Sequence, residues 1–112
     1  MSAITTHVLD TSRGCPASGL KVDLHVRSGT EWELIGTGVT DSNGRCGTLM
    51  GDAKLRPGGY RLLFDAGSYF KQQQTETFYS EIPIVFEIAR AEAHYHVPLL
   101  ISPFGYSTYR GS

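Results

Sequence analysis

The sequence predicts an all-β sandwich of about seven or eight short strands, forming a single domain over residues 1–112. Segments with alternating apolar and polar residues recur along the chain, separated by turn-forming residues roughly every eight to twelve positions. The hydrophobic fraction of 40% over 112 residues is sufficient for a buried core. No apolar stretch approaches the roughly 20 residues needed to cross a bilayer, so no membrane association is expected.

The first half of the chain contains four predicted strands, at residues 4–10, 20–28, 31–40 and 45–50. The clearest is 20–28, where Leu20, Val22, Leu24 and Val26 alternate with charged and polar residues. This period of two indicates one buried and one wetter face. The turn at 41–44, Asp-Ser-Asn-Gly, is rich in residues whose side chains cap their own backbone.

The second half begins with a predicted strand at 60–65, followed by a single short helix at 66–72, where the alternation is lost. Further strands are predicted at 84–89, 93–102 and 106–110. We find neither internal repeats nor a linker, which agrees with one domain.

Net charge, the first residues and the two cysteines give expectations about partners, location and thiol state. Ten basic and eleven acidic residues leave a formal charge of −1, so no nucleic-acid partner or anionic membrane is indicated. The first residues lack the basic and apolar regions of a secretory signal, which predicts a cytoplasmic location. In that compartment Cys15 and Cys46 are expected to be reduced thiols.

Two predicted strands place ionisable groups on their non-core faces. In 93–102, Tyr95, Val97, Leu99 and Ile101 form the natural core face, so His94 and His96 point the other way. By the same alternation His7 shares a face with Thr5 and Leu9. Because apolar Leu9 and Leu100 also lie on these non-core faces, we expect another subunit to cover them.

Several interpretations of these histidines remain open from the residues alone. A strand histidine is most often structural, and His25, on a plain polar face, fits that description. His94 and His96 project together and would form a metal pair if a third ligand such as His7 joined them. The sequence contains no Gly-x-Ser-x-Gly or Gly-rich phosphate motif.

Three segments together resemble a known family. They are Ile4-Thr-Thr-His-Val-Leu-Asp-Thr-Ser-Arg-Gly-Cys-Pro-Ala17, the turn Thr40-Asp-Ser-Asn-Gly-Arg45, and the ending His94–Ser112 with its terminal Tyr-Arg-Gly-Ser. In this order they resemble the transthyretin-like 5-hydroxyisourate hydrolases. The terminal tetrapeptide is the most specific element, and the resemblance covers essentially the whole chain.

The resemblance implies a transthyretin-like (prealbumin-like) two-sheet β-sandwich, with four strands in each sheet and one short helix. It implies a homotetramer, a dimer of dimers, with active sites along a central channel. The implied reaction is hydrolysis of 5-hydroxyisourate, a product of urate oxidation, to 2-oxo-4-hydroxy-4-carboxy-5-ureidoimidazoline. Neither a cofactor nor a metal is required in this scheme.

The family's functional residues fall on specific positions of this chain. The implied catalytic residues are His7, Arg45, His96 and Ser112; the implied substrate-binding residues are His7, Arg45, Tyr109, Arg110 and Gly111. Imidazole is suited to deprotonate water near neutral pH, and a fixed arginine can stabilise an oxyanion. The sequence does not choose between His7 and His96 as the general base.

Two other functions are compatible with the predicted sandwich. Transthyretin, the thyroid-hormone carrier, shares the fold and the tetramer, but it lacks the histidine–arginine–histidine set and the Tyr-Arg-Gly-Ser ending. A structural sandwich module is the third possibility, and the complete set of candidate site residues argues against it.

Overall fold

The computed structural model describes residues 3–51 and 53–112, in which two sheets enclose one hydrophobic core. The strands are β1 (Ile4–Asp10), β2 (Cys15–Pro16), β3 (Lys21–Ser28), β4 (Glu31–Val39), β5 (Arg45–Cys46), β6 (Gly58–Phe64), β7 (Ile82–Ile88), β8 (Tyr95–Ser102) and β9 (Gly105–Thr108). One helix, α1 (Ala66–Lys71), follows β6. The predicted all-β sandwich with one short helix is confirmed.

The two sheets differ in construction. One has the order β4-β3-β6-β7 and is antiparallel throughout. The other has the order β2-β1-β8-β9, with β5 also paired to β1. This sheet therefore has five segments rather than the implied four, because the two-residue strands β2 and β5 pair with different parts of β1. The β1–β8 pair is parallel and is the centre of this sheet.

The core follows the predicted alternation. In β8, Tyr95, Val97, Leu99 and Ile101 are all buried. Val22, Leu24 and Val26 of β3 are buried as predicted, and so is Leu20, which directly precedes the strand. Ile4 and Val8 of β1 contribute from the same sheet as β8. The faces of β1 and β8 that carry histidines therefore point away from the core.

Two side-chain hydrogen bonds hold the short helix α1 in place. The Asp65 side chain accepts a hydrogen bond from the Ser68 N–H at 3.1 Å, which caps the first turn. The Tyr69 hydroxyl donates to Oδ2 of the fully buried Asp10 at 2.8 Å and so ties the helix to β1. Burial and this bond to a carboxylate both raise the pKa of Tyr69. The helix ends one residue earlier than the predicted 66–72.

Some predicted strand limits were wrong. The strand predicted at 45–50 is confined to Arg45–Cys46, and the apolar Leu49 and Met50 are buried from a non-strand segment. Their burial, rather than strand geometry, accounts for the apolar pattern. A Cβ at Gly36 would overlap the Leu49 carbonyl, so β4 passes directly against this segment.

No helix among the described residues is long and apolar enough to cross a membrane.

Candidate active site

Strand register brings the predicted residues of β1, β5 and β8 to one face. His7 is paired with Arg45 of β5 on one side and with Pro98 of β8 on the other. Thr5 is paired with His96 in the parallel β1–β8 ladder. Side chains of directly paired residues project to the same face of a sheet. The non-core face therefore carries His7, Arg45 and His96 side by side, although they come from distant parts of the sequence.

The turn before β5 fixes the position of Arg45. Oδ1 of Asp41 accepts hydrogen bonds from the backbone N–H groups of Asn43 at 2.8 Å and Arg45 at 3.0 Å. These two bonds lower the pKa of the Asp41 carboxyl, so the carboxylate form that accepts them is fully populated at neutral pH. The Val8 N–H donates to the Gly44 carbonyl at 2.7 Å, which attaches the turn to β1.

Thr5 connects two histidines and was missed as a site residue from the sequence. Its Oγ1 lies 2.8 Å from Nδ1 of His96 and 3.1 Å from Nε2 of His94. No described residue bonds Nε2 of His96, which leaves this ring nitrogen available to a substrate or water. The available sequence signal was the shared face of Thr5 and His7, but a threonine in a strand is too common to single out.

The surroundings of His96 favour its neutral form. Burial is the largest cause of its lowered pKa, followed by the positive charge of Arg45 and then by His7 and His94. Each disfavours an additional positive charge on the imidazole. At neutral pH the ring is therefore uncharged and holds a lone pair that can accept a proton.

This lowered pKa gives a testable pH dependence. Because the neutral form persists below the ordinary histidine value of 6.5, we expect activity to stay constant as pH falls through 6.5 and to decline at lower pH. Replacing Arg45 with methionine removes the largest repulsive charge and should raise the His96 pKa. Proton NMR titration of the His96 ring measures its pKa in the wild type and in Arg45→Met without requiring turnover. An unchanged or lower pKa in Arg45→Met would contradict the electrostatic assignment.

The C-terminal residues divide between the two sides of β8. The Gly111 N–H donates to the His96 carbonyl at 2.8 Å, and Ser112 lines the same cavity as His96 and Arg45. The Arg110 guanidinium instead lies 4.7 Å from the centre of the Tyr95 ring, on the core-facing side of β8. Ser112 thus shares the cavity of His96 and Arg45, whereas Arg110 lines a second cavity together with His96 and Tyr95.

The cavity has a volume of about 320 Å³ and combines hydroxyl, imidazole and guanidinium groups. Its lining residues are Thr5, Thr6, Arg45, Cys46, Gly47, His94, His96 and Ser112. His7 and Tyr109 line an adjoining groove of about 180 Å³ together with Leu9 and Leu100. The Arg45 side chain has no hydrogen-bond or ion-pair partner among the described residues, so its donors are available for ligand oxygens.

Among residues 3–51 and 53–112 no three histidine, cysteine or acidic side chains are arranged to hold a metal ion. His94 and His96 are instead joined through the Thr5 hydroxyl. Cys15 and Cys46 are free thiols, as predicted, and Cys46 is buried.

Gly111 is expected to control the orientation of His96. A Cβ at this position would lie 2.7 Å from Cδ2 of His96, closer than real Cβ contacts allow. We expect Gly111→Ala to displace the ring and lower kcat about 10- to 100-fold, as small misplacements of reacting groups do. Steady-state kinetics would measure this, with Gly105→Ala as control because its Cβ makes only an ordinary 3.7 Å contact. Equal activity of the two variants would contradict the contact.

The fold and this ionisable face define a transthyretin-like protein, as comparison with solved structures shows. The structure of Klebsiella pneumoniae 5-hydroxyisourate hydrolase superposes with a TM-score of 0.87 and 38% identity, covering 100% of both chains. Sea bream transthyretin in complex with thyroxine superposes with a TM-score of 0.90 and 31% identity, over 97% of this chain and 94% of that one.

The chain belongs to the HIUase/Transthyretin family, whose family model matches residues 4–111. A relative from Pseudomonas aeruginosa named 5-hydroxyisourate hydrolase is 47% identical over 118 residues, covering 100% of this chain and 93% of the relative. The family resemblance predicted from the sequence is thereby confirmed.

Proposed function

We propose that this protein is a hydrolase that opens 5-hydroxyisourate to 2-oxo-4-hydroxy-4-carboxy-5-ureidoimidazoline during urate degradation. The observation that carries the proposal is the convergence of His7, Arg45 and His96 on one non-core face beside a cavity of about 320 Å³. Relatives named for this activity cover the full length of the chain, which supports the same assignment.

In the proposed mechanism His96 is the general base. Its uncharged ring and unpartnered Nε2 suit it to take a proton from water while the water oxygen attacks an amide carbonyl of the six-membered ring. The carbonyl oxygen becomes an oxyanion, which the Arg45 guanidinium stabilises. The ring C–N bond then breaks, and the proton held by His96 passes to the departing nitrogen.

The other implied residues have supporting roles in this scheme. His7 and Tyr109 line the adjoining groove and are proposed to contact the substrate's heterocycle. Ser112 is proposed to orient the water, and Gly111 to keep the backbone close to His96. We propose that Arg110 contributes by holding the C-terminal segment against Tyr95, since its guanidinium lies on the other side of β8.

We propose that the active form is a homotetramer, a dimer of dimers located in the cytoplasm. The histidine-bearing face also carries Leu9 and Leu100, which are only partly buried within one chain. Tyr109, which lines the same groove as these leucines, is 61% exposed, and Phe104 between β8 and β9 is 67% exposed. Covering such surfaces with further copies would remove apolar area from water. Light scattering after size exclusion would test the tetramer.

The experiment that tests the function generates 5-hydroxyisourate with urate oxidase and follows its ultraviolet absorbance with and without this protein. Spontaneous decay gives the baseline rate. We expect faster decay that depends on His7, Arg45 and His96, and full activity after treatment with a chelator. No acceleration by the folded protein would overturn the hydrolase assignment.

The similarity to a thyroxine-bound transthyretin gives a second candidate, a carrier of an aromatic ligand. The ionisable cavity argues against it, because a carrier needs neither a neutral histidine nor an unpaired arginine at the site. Calorimetric titration with thyroxine would separate the two candidates, and tight binding without hydrolysis would favour the carrier.

A further inference from the structure

The Thr5 hydroxyl lies between two imidazoles within hydrogen-bond distance of both. Its Oγ1 is 2.8 Å from Nδ1 of His96 and 3.1 Å from Nε2 of His94. A hydroxyl has a single proton to donate, and a neutral imidazole has one N–H and one lone pair. If the hydroxyl donates to one ring and accepts from the other, the three groups have only two possible proton arrangements.

The proposed reaction selects one of these arrangements. If Nδ1–H of His96 donates to Thr5 and the Thr5 hydroxyl donates to Nε2 of His94, then Nε2 of His96 has a lone pair and can act as base. The opposite arrangement places the His96 proton on Nε2 and removes the base. Only the first arrangement is compatible with water activation at the unpartnered nitrogen.

From this geometry we infer that His94 and Thr5 form a proton relay with His96, and that His94 stores the positive charge that the reaction creates. This inference rests on the proposed function. Nε2 of His96 takes a proton from the attacking water, Nδ1–H of His96 passes to Thr5 Oγ1, and the Thr5 proton passes to Nε2 of His94. The relay runs in reverse when Nε2–H of His96 protonates the departing ring nitrogen, so every group returns to its starting state.

The charges around the site explain why such a relay is useful. An imidazolium at His96 would be partly buried and would face the positive charge of Arg45, with His7 as a further neighbour. His94 is exposed, so water solvates a positive charge there more effectively. Moving the charge from His96 to His94 therefore lowers the energy of the intermediate without moving any heavy atom far.

Two substitutions separate the relay from simple packing. Thr5→Val keeps the branched shape but removes the hydroxyl, and Thr5→Ser keeps the hydroxyl. We expect Thr5→Val to lower kcat about 10- to 100-fold, the range found for groups that orient metal-bound histidines, with little change in KM. We expect Thr5→Ser to restore most of the rate. Thr11→Val is the matched control, since its hydroxyl bonds the Ile101 carbonyl at 2.9 Å outside the cavity.

The solvent isotope effect on the rate distinguishes the relay from a purely structural role of Thr5, which would leave this effect unchanged. In mixtures of H₂O and D₂O the wild-type rate should depend non-linearly on deuterium fraction, because several protons move together. Thr5→Val and His94→Phe should give a linear dependence, with one proton in motion. A linear wild-type dependence, or a Thr5→Val enzyme with full activity, would overturn the relay.

Nitrogen NMR on the free protein tests the starting arrangement without substrate. We expect the neutral His96 ring to carry its proton on Nδ1, and a proton on Nε2 would overturn the inference. Because these spectra need no turnover, they distinguish failure of the relay from failure of the proposed function. If the wild-type protein does not accelerate 5-hydroxyisourate decay, the function fails, while the nitrogen spectra still decide the direction of the hydrogen bonds.

Discussion

Replacing His96 with glutamine is expected to lower kcat by about 10²- to 10⁴-fold, the usual contribution of a general base. Glutamine keeps a polar side chain of similar length but has no basic nitrogen. Arg45 and the binding groove remain, so KM should change much less than kcat. The fold should be retained, because His96 lies on the non-core face and takes no part in the apolar core.

The absorbance assay measures this effect, together with circular dichroism and size exclusion to confirm folding and assembly. His25→Gln is the matched control, since His25 lies on β3 in the other sheet and is paired with Arg61. We expect its activity to be near that of wild type. A His96→Gln enzyme with wild-type kcat would remove His96 from the mechanism and leave His7 as the candidate base.

Replacing Gly44 with alanine is expected to lower the free energy of unfolding by about 2–4 kcal/mol, at the upper end of ordinary point mutations. Gly44 has a φ of +77°, which disfavours residues with a Cβ. The added Cβ would also overlap the Val8 carbonyl oxygen, a backbone atom that cannot move independently. Since β1 and β5 meet here, Arg45 should lose its position beside His7 as well.

Gly14 provides a control that separates the two causes. Its φ is +67°, but a Cβ there would meet nothing within 4 Å, so Gly14→Ala should cost only the backbone term of about 1–2 kcal/mol. Urea unfolding at one fixed protein concentration measures both variants, because assembly would otherwise alter apparent stability. Equal destabilisation of the two variants would show that the predicted overlap is relieved.

The long strands could be predicted because their residue patterns match their burial. Alternation in β8 correctly identified Tyr95, Val97, Leu99 and Ile101 as core residues, and it therefore placed His96 on the opposite face. The loss of alternation after β6 correctly located α1 to within one residue at its end. In these elements local pattern and tertiary packing agree.

The short strands could not be predicted for physical reasons. β2 has two residues, too few for any period to be recognised, and it exists only because β1 offers it a partner. β9 ends at Thr108 rather than at the predicted residue 110, because the chain leaves the β8 ladder before Gly111 bonds His96 again. The positions at which these short strands begin and end depend on pairing partners that are distant in sequence.

The site was predictable only in part. The resemblance implied His7, Arg45 and His96 as candidate site residues, and alternation placed the two histidines on the face away from the core, where strand register brings all three together. The parallel pairing that joins β1 to β8 leaves no local signal, so the bond from Thr5 to His96 could not be foreseen. For Arg110, spacing alone could not show that its side chain turns toward Tyr95.

The parallel pairing of β1 with β8 also sets when the cavity can exist during synthesis. Thr5 and His96 are separated by 91 positions, so the earliest strand waits for its partner until most of the chain has been made. Contacts of such long range slow folding, because the intervening chain must lose conformational entropy to close the loop before the contact can form. Until then β1 presents an unpaired edge, the kind of surface on which growing chains associate wrongly. The contact of Thr5 with His96 is therefore expected to form late in synthesis, after most of the chain has been made.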